Sequence, residues 1–210
     1  MEELEFRHRF VPGRPSGEGI TLLLLHGTGG SETDLIPLGE ELAPGAALLS
    51  PRGKVLENGM PRFFRRLAEG VFDQEDLQRQ TDAMAQFMEA ASRQYGLSES
   101  SMVAVGYSNG ANIASSVLLR YPSLLAAAML FRAMVPFQPQ PPPDLRHARI
   151  FLAAGRRDPI VQQSETNRLA GILEAAGAEV ATHWHDGGHE LGRDDIAAAK
   201  AWISEWRAQR

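Results

Sequence analysis

The pentapeptide Gly106-Tyr107-Ser108-Asn109-Gly110 lies where an apolar run ends and a helical pattern begins. Residues 101–105 predict a buried strand, and residues 109–121, which have apolar positions near helical spacing and precede Pro122, predict a helix. In such a strand–turn–helix unit the serine has a strained backbone and its hydroxyl stands clear of the sheet. The flanking glycines are needed because the tight turn leaves no room for side chains. The pattern therefore predicts a sharp turn that exposes the Ser108 hydroxyl.

Short apolar runs alternate with longer amphipathic stretches along the chain. Strands are predicted at residues 4–11, 20–25, 46–49, 103–107, 126–131, 150–154 and 180–184, and helices at residues 33–42, 73–95, 109–120, 161–176 and 193–207. Such alternation is typical of a mainly parallel sheet with helices on both faces. We therefore expect residues 1–210 to form a single α/β domain, with a sheet of about seven strands and no large cap domain.

Polar residues follow several predicted strands at the point where each strand ends. They are residues 26–30, Ser108, Asp158 and His189. Ligands of open α/β sheets bind beyond the carboxyl ends of the strands, so we expect these residues to converge on one site. A serine hydroxyl needs a base such as histidine, and the far nitrogen of that histidine needs a carboxylate. The sequence therefore predicts a catalytic triad in which Ser108 is the nucleophile, His189 the base and Asp158 the acid.

Two backbone N–H groups are predicted to stabilise negative charge on a carbonyl oxygen under attack. The turn itself places the Asn109 N–H beside Ser108, and the Thr28 N–H is the expected second donor of this oxyanion hole. The glycines around Thr28 let its backbone approach a substrate closely. His26 directly follows a buried strand, and we expect it to hydrogen bond the glycine loop rather than to act as the base.

Two residues of the predicted triad have structural alternatives. Ser108 is also a residue that favours a helix N-cap, and Asp158 precedes Pro159 as it would in an ordinary turn. Asp144 and Asp186 are rival acids, although Asp144 precedes its strand and Asp186 lies close to His189 in sequence. The agreement of four independent placements at one edge of the sheet favours the triad over these alternatives.

His183 and His185 compete with His189 for the role of base. They lie two residues apart in a predicted strand and therefore share one of its faces, which indicates residues of the strand surface. A metal pair formed by these two histidines has no third ligand at a suitable spacing. The sequence therefore predicts neither a metal site nor another cofactor.

Composition restricts the partners of the chain. The net charge is −5, whereas phosphate binding needs a basic surface, so no nucleic acid is expected as a partner. The longest apolar stretch, residues 124–131, is far too short to span a bilayer, and the acidic N-terminus lacks the apolar segment of a secretory signal. Together with the absence of cysteine, these features predict a cytoplasmic protein with no membrane partner.

The motifs resemble those of the α/β-hydrolase superfamily, and within it the small carboxylesterase/phospholipase group that includes acyl-protein thioesterases. The resemblance extends over nearly the whole chain and is carried by residues 25–30, 106–110, 158–161 and 187–191. Residues 50–53 and 62–73 are most similar to a bacterial branch of hydroquinone-operon hydrolases or dienelactone-hydrolase-like proteins.

This resemblance implies an α/β-hydrolase fold, with Ser108, Asp158 and His189 as the triad and with Thr28 and Asn109 as the oxyanion hole. It also implies a possible homodimer. Dienelactone hydrolases proper use a cysteine nucleophile, and this chain has no cysteine. Ordinary ester cleavage is therefore expected in preference to dienelactone hydrolysis.

The insertion before the predicted nucleophile, residues 52–72, is rich in arginine and phenylalanine. Its residues Arg52, Arg62 and Arg65 either attract a substrate carboxylate or are solvated at the surface, and surface solvation is favoured. Its phenylalanines either line a pocket or only pack the insertion onto the sheet. Five apolar residues are expected to line a shallow acyl or aryl pocket: Phe63, Phe64, Phe72, Met134 and Val135.

The sequence predicts a serine carboxylesterase whose partner is a small-molecule ester, either short-chain or aryl, hydrolysed through an acyl-enzyme intermediate. Two alternatives stay open. One is a thioesterase or lysophospholipase that acts on longer acyl chains, and the other is a catalytically silent binding protein with a hydrolase fold. A nucleotide-binding domain is discounted because residues 26–30 have neither the GxGxxG spacing nor a Walker lysine.

Overall fold

Strands and helices alternate in residues 4–17 and 19–209, which the computed structural model describes. The strands in chain order are β1 (His8–Val11), β2 (Thr21–Leu25), β3 (Ala47–Pro51), β4 (Val55–Glu57), β5 (Met60–Arg62), β6 (Arg66–Ala68), β7 (Val71–Phe72), β8 (Met102–Tyr107), β9 (Ala127–Phe131), β10 (Arg149–Gly155) and β11 (Glu179–His185). The α-helices are α1 (Ile36–Leu42), α2 (Gln74–Tyr95), α3 (Asn109–Arg120), α4 (Gln163–Ala175) and α5 (Arg193–Ala208).

Within the described residues, seven strands form a central sheet in the order β1-β3-β2-β8-β9-β10-β11. β1 is antiparallel to β3, and the other neighbouring pairs are parallel. This arrangement confirms the predicted α/β-hydrolase fold with its mainly parallel sheet. Ser108, Asp158 and His189 follow β8, β10 and β11 in the chain, and the carboxyl ends of these parallel strands lie at one edge of the sheet.

Side chains of the sheet are buried on both of its faces. Leu23 and Leu25 of β2 belong to one core cluster, which includes residues of α2, α3 and α4. Leu22 and Leu24 belong to a second cluster with residues of α1 and α5. Because helices cover both faces, the central strands are continuous apolar runs, and β2 is buried at every position.

Two predicted elements begin three or more residues later than the sequence indicated. The first strand begins at His8 rather than at residue 4, because its partner β3 ends opposite this residue. The first helix begins at Ile36 rather than at residue 33, because the Ser31 N–H donates to the Asp34 carboxylate at 3.1 Å and closes a turn there. Neither difference moves a predicted site residue.

The insertion forms two short hairpins that the sequence analysis did not predict. β4 pairs with β5 and β6 with β7, both antiparallel, so the insertion builds no large cap domain. Asn58 and Gly59 connect β4 to β5 with φ angles of 51° and 79°. Positive φ at both residues is the requirement of a type I′ hairpin turn, and an Asn-Gly pair is its strongest sequence signal.

The turn between β8 and α3 is as sharp as the pentapeptide predicts. Ser108 has a φ of 52° and a ψ of −113°, a combination that residues other than glycine rarely adopt. A Cβ atom on Gly106 would lie 2.6 Å from the Ala111 Cα, and one on Gly110 would lie 1.9 Å from the Leu25 carbonyl oxygen. Both glycines are therefore required, because α3 begins in direct contact with β2 and β8.

We expect Gly110→Ala to lower the free energy of unfolding by about 2 kcal/mol or more, because the new methyl group would overlap backbone atoms. Gly171 in α4 offers a matched control, since a Cβ added there meets nothing within 4 Å. Gly171→Ala is expected to raise the free energy of unfolding by about 0.5–1 kcal/mol. Urea denaturation of both variants measures the two effects, and equal effects would contradict the close approach at Gly110.

Candidate active site

A chain of hydrogen bonds joins three predicted site residues at the carboxyl edge of the sheet. The His189 Nε2 lies 2.9 Å from the Ser108 Oγ, and the His189 Nδ1 lies 2.8 Å from the Asp158 Oδ2. The Asp158 side chain is fully buried, whereas the imidazole is 16% exposed. A carboxylate at Nδ1 selects the tautomer that leaves Nε2 free to accept the serine proton.

The turn that contains Asp158 also holds its carboxylate in place. The Asp158 Oδ1 accepts hydrogen bonds from the backbone N–H groups of Ile160, at 2.8 Å, and Val161, at 3.0 Å. The Oδ2 is left for His189. One oxygen of Asp158 therefore stabilises the turn before Pro159, as the structural alternative expects, and the other oxygen contacts His189. The two roles are compatible because they use different oxygens of the same side chain.

The rival carboxylates pair with other residues. Asp144 contacts Arg146 at 2.6 Å, and hydrogen bonds from Arg146 hold the pKa of Asp144 well below its usual range. Asp186 is 88% exposed and lies 3.5 Å from Arg156. Among the carboxylates that the structure describes, Asp158 is therefore the one placed to orient His189.

The loop that carries His189 is anchored through three consecutive carbonyl oxygens. The Arg132 Nε donates to the Gly188 carbonyl at 3.2 Å, and the Arg132 Nη2 donates to the Glu190 carbonyl at 2.8 Å. The Tyr107 hydroxyl donates to the His189 carbonyl at 3.2 Å. Arg132, which directly follows β9, and Tyr107, the last residue of β8, therefore fix the backbone around His189.

Arg132 is itself held in a buried ion pair. Its Nη2 lies 2.6 Å from the Asp195 Oδ2, and both side chains are fully buried. The same Asp195 oxygen accepts the Gly192 N–H at 2.8 Å, which caps the first turn of α5. Loss of one partner of a buried pair leaves an uncompensated charge, at a cost of about 3–5 kcal/mol. The ion pair thus ties the His189 loop to the start of α5.

Thr28 and Asn109 line the cavity that contains Ser108. Asn109 is the first residue of α3, so its N–H has no acceptor within the helix. The Thr28 Oγ1 accepts a hydrogen bond from the Arg62 Nη1 at 2.6 Å, which fixes the Thr28 side chain against the insertion. The structure thus brings both predicted residues of the oxyanion hole to the cavity of the serine, and the role of their N–H groups stays a prediction.

His26 hydrogen bonds the glycine loop, as the sequence analysis expected. Its Nε2 accepts the Gly53 N–H at 3.0 Å, so its Nδ1 carries the proton and donates to the Gly27 carbonyl at 2.6 Å. Burial lowers the pKa of His26, which favours the neutral ring that both hydrogen bonds require. His26 therefore ties the loop of Thr28 to the start of the insertion.

A cavity of about 280 Å³ includes Ser108 and His189 in its wall. Two of the predicted pocket residues, Phe72 and Met134, form part of this wall, and Ile160 extends its apolar side. These side chains come from the insertion, from the segment after β9 and from the turn after β10. Their contact with a substrate stays a prediction.

The other predicted pocket residues do not line this cavity. Phe63 and Phe64 are fully buried and Val135 is 9% exposed, and all three belong to the core. The Phe63 ring lies 4.7 Å from the His26 ring, and the Phe64 ring lies edge-on to Phe72 at 5.0 Å. The structure places these three residues in the core and not in the cavity wall where the pocket prediction put them, because burial of an apolar side chain against the sheet gains more than exposure at a cavity. For Phe63 and Phe64 the packing alternative is the observed one.

Several residues near the site were missed by the sequence analysis. Tyr107 and Asn112 line the cavity. Both could have been predicted, because Tyr107 belongs to the pentapeptide and Asn112 lies one helical turn after Ser108. Arg132 follows β9 at the same edge of the sheet, the criterion that selected the other site residues. Arg66 also lines the cavity, and its placement depends on hairpins that were not predicted.

His183 and His185 have structural partners away from Ser108. The His183 ring stacks on Phe151 at a centroid distance of 6.1 Å, and the His185 Nε2 contacts the Arg132 guanidinium. Across residues 4–17 and 19–209, no group of three or more histidine, cysteine or acidic side chains is arranged to hold a metal ion. None of the helices in these same ranges combines the length and apolar character needed to cross a bilayer.

Residues 11–207 match the model of the Phospholipase/Carboxylesterase family, and the chain belongs to this family. It is 45% identical over 184 residues to the putative hydrolase MhqD of Bacillus subtilis (strain 168), with coverage of 88% of this chain and 92% of MhqD. The family places the chain among hydrolases of the carboxylesterase type.

Solved structures agree with this assignment. The chain is 45% identical to the Bacillus cereus carboxylesterase, with a TM-score of 0.93 over 96% of this chain and 94% of that one. It is 32% identical to YahD, whose structure was solved with malic acid, with a TM-score of 0.90 over 95% of this chain and 98% of that one. The fold and the family therefore define one class of protein, the α/β-hydrolase carboxylesterases.

We expect Arg132→Met to lower the free energy of unfolding by about 3–5 kcal/mol, because Asp195 is left buried and unpaired. The double variant Arg132→Met/Asp195→Leu is expected to recover most of this loss, because both charges are then absent. The carbonyls beside His189 still lack their donors, so amides of residues 186–191 should exchange hydrogen at least about tenfold faster than in the wild type.

Hydrogen exchange measured by mass spectrometry tests this expectation, and peptides that cover β8 serve as the internal reference. Wild-type protection of residues 186–191 in the double variant would contradict the anchoring role of Arg132. It would show that the ion pair stabilises α5 and leaves the histidine loop to other contacts.

Proposed function

We propose that the protein is a serine carboxylesterase that hydrolyses small, short-chain or aryl carboxylic esters through an acyl-enzyme intermediate. The observation that carries this proposal is the hydrogen-bonded chain from Ser108 through His189 to Asp158, with distances of 2.9 Å and 2.8 Å. Membership of the Phospholipase/Carboxylesterase family and 45% identity to a carboxylesterase support the reaction class.

In the first half-reaction the Ser108 Oγ attacks the ester carbonyl carbon, while the His189 Nε2 accepts the hydroxyl proton. Asp158 stabilises the imidazolium that forms. The tetrahedral intermediate then breaks its bond to the alcohol, which departs with the proton from His189. In the second half-reaction water attacks the acyl-serine ester, His189 again accepts and returns the proton, and the acid is released.

The negative charge on the carbonyl oxygen would be stabilised by the N–H groups of Thr28 and Asn109. Loss of one such donor typically lowers the rate by about 10²–10³-fold. Asn109 begins α3, so the positive end of the helix dipole adds to this stabilisation. The hydrogen bond from Arg62 to the Thr28 side chain, at 2.6 Å, holds the other donor against the insertion.

The size of the cavity favours small esters over long acyl chains. Its volume of about 280 Å³ lies just below the range of about 300–1,000 Å³ that is typical of pockets for small molecules. Phe72, Met134 and Ile160 offer apolar surface for a short acyl or aryl group. A thioesterase or lysophospholipase needs a longer apolar channel, and a silent binding protein needs no ordered proton acceptor at its serine.

Hydrolysis of p-nitrophenyl esters from acetate to palmitate tests the proposal. We expect kcat/KM to be highest for short chains and to fall by at least about 10³-fold in Ser108→Ala, because the nucleophile is lost. Ser204→Ala is the matched control, since Ser204 is an exposed serine of α5 whose hydroxyl donates to the Lys200 carbonyl. This control is expected to retain wild-type activity.

The same experiment separates the alternative functions. A maximum at long chains would favour the thioesterase or lysophospholipase function and would exclude the preference for small esters. Activity that survives Ser108→Ala would remove Ser108 from the reaction. Inactivity of the wild type on every ester would overturn the carboxylesterase proposal and favour a binding role.

A further inference from the structure

The charged groups around the cavity are unevenly distributed. Arg62 and Arg66 line it, and no aspartate or glutamate belongs to its described wall. Asp158, the acid of the proposed triad, is fully buried behind His189. The chain as a whole carries a net charge of −5, so a cavity wall with two guanidinium groups is opposite in sign to the rest of the molecule.

Glu57 is the counter-ion that the two arginines share. It accepts hydrogen bonds from the Arg66 Nε at 2.9 Å and contacts the Arg66 Nη2 at 2.8 Å. Its other oxygen lies 3.2 Å from the Arg62 Nε. Two guanidinium charges therefore face one carboxylate, and the cluster keeps one positive charge at the cavity.

The positions of the two arginines differ. The Arg62 side chain is 4% exposed and is engaged with Thr28, Glu57 and the Phe64 carbonyl. Burial and, to a smaller extent, the nearby Arg66 lower the pKa of Arg62 against the opposing effect of Glu57. The Arg66 side chain is 31% exposed and is the cation that an entering anion can reach.

Asn112 adds a neutral hydrogen-bond donor to the same wall. Its Oδ1 accepts the Met134 N–H at 2.7 Å, so its amide NH₂ group remains the part that can serve a ligand. Asn112 lines the cavity one helical turn after Ser108. The cavity thus combines an apolar side, formed by Phe72 and Met134, with a side of donors and positive charge.

We propose that the cavity takes an acyl group that ends in a carboxylate, so that the preferred substrates are monoesters of short dicarboxylic acids. Arg66 pairs with the free carboxylate, and Arg62 and Asn112 support it. This inference rests on the proposed carboxylesterase function. The acyl part is the one that the cavity must recognise, because it stays bound to Ser108 through both half-reactions while the alcohol departs.

The reaction is a hydrolysis at one end of the acid. The monoester anion and water give the dicarboxylate, the alcohol and one proton. The bond between the acyl carbon and the alcohol oxygen breaks, and the free carboxylate takes no part in bond making. Each turnover releases a proton near neutral pH, which a pH-stat measures directly.

A matched pair of ethyl esters tests the inference. Ethyl hydrogen succinate carries the carboxylate, and ethyl isocaproate has an isopropyl group in its place. We expect the wild type to prefer the succinate monoester by at least about tenfold in kcat/KM. Arg66→Met is expected to lower kcat/KM for this ester by about 10–100-fold, the effect of losing a hydrogen bond to a charged group, and to change the neutral ester by less than about threefold.

Two further variants control the measurement. Arg66→Lys keeps the charge without the planar fork and is expected to retain part of the preference. Arg146→Met removes an arginine that pairs with an aspartate just before β10, at the opposite end of this strand from Asp158, and should change neither ester. Equal kcat/KM for the two esters in the wild type, or an equal loss of both in Arg66→Met, would overturn the inference and leave the carboxylesterase proposal standing.

Binding of ethyl hydrogen succinate to Ser108→Ala, measured by calorimetry, separates the inference from the proposed function. If the wild type hydrolyses neither ester, the carboxylesterase proposal fails. Binding to Ser108→Ala that weakens at least about tenfold when Arg66→Met is added still supports the anion site. Absence of binding, or binding that is insensitive to Arg66→Met, overturns it.

Discussion

The contact between the first turn of α3 and strand β2 is the constraint on which the site depends. A Cβ atom on Gly110 would lie only 1.9 Å from the Leu25 carbonyl oxygen, so any side chain there would overlap this group. Ser108, at the entry to this helix, has a positive φ of 52°. A residue held in such a conformation costs about 1–3 kcal/mol. Burial of nearly the whole of α3 between the sheet and α2 offsets that cost.

The same edge of the sheet receives the other two residues of the proposed triad from β10 and β11. Asp158 is fixed by the turn that follows β10, where two backbone N–H groups bind one of its carboxylate oxygens. His189 lies on a longer loop, and that loop has no regular structure to hold it. Arg132 and Tyr107 supply the missing constraint through the loop carbonyls. The geometry at Ser108 therefore rests on a strained turn on one side and a buried ion pair on the other.

The sequence predicted the parts of the molecule that follow from periodicity and strand ends. The central sheet and the helices follow from the alternation of apolar runs with helical patterns. The convergence of Ser108, Asp158 and His189 follows from polar residues placed directly after apolar runs. Phe63 and Phe64 could not be placed in this way, because a phenylalanine in an insertion has the same pattern whether it lines a pocket or packs on the core. Arg132 follows a strand as the other site residues do, but its burial could not be predicted, because it depends on an ion pair with Asp195 of a distant helix.

The charge of the cavity was equally beyond the sequence. Arginines in the insertion were open to two interpretations from sequence, and the position of Arg62 and Arg66 beside one shared carboxylate at the cavity depends on the hairpins. The hairpin turn at Asn58 and Gly59 could be predicted from the Asn-Gly pair. The contacts among Glu57, Arg62 and Arg66 could not, because they join residues of separate hairpins. Local patterns specify such turns, whereas tertiary packing specifies which side chains they deliver to the cavity.

The role of Ser108 as the activated nucleophile is tested most directly by covalent labelling with diisopropyl fluorophosphate, followed by intact-mass and peptide mass spectrometry. We predict one adduct, located on Ser108, which forms in the wild type and is absent in Ser108→Ala. Labelling should slow by about 10³-fold or more in Asp158→Asn, because His189 then loses the carboxylate that fixes its tautomer. An adduct on another residue, or equal labelling of the wild type and Ser108→Ala, would contradict the assignment of Ser108 as the activated nucleophile.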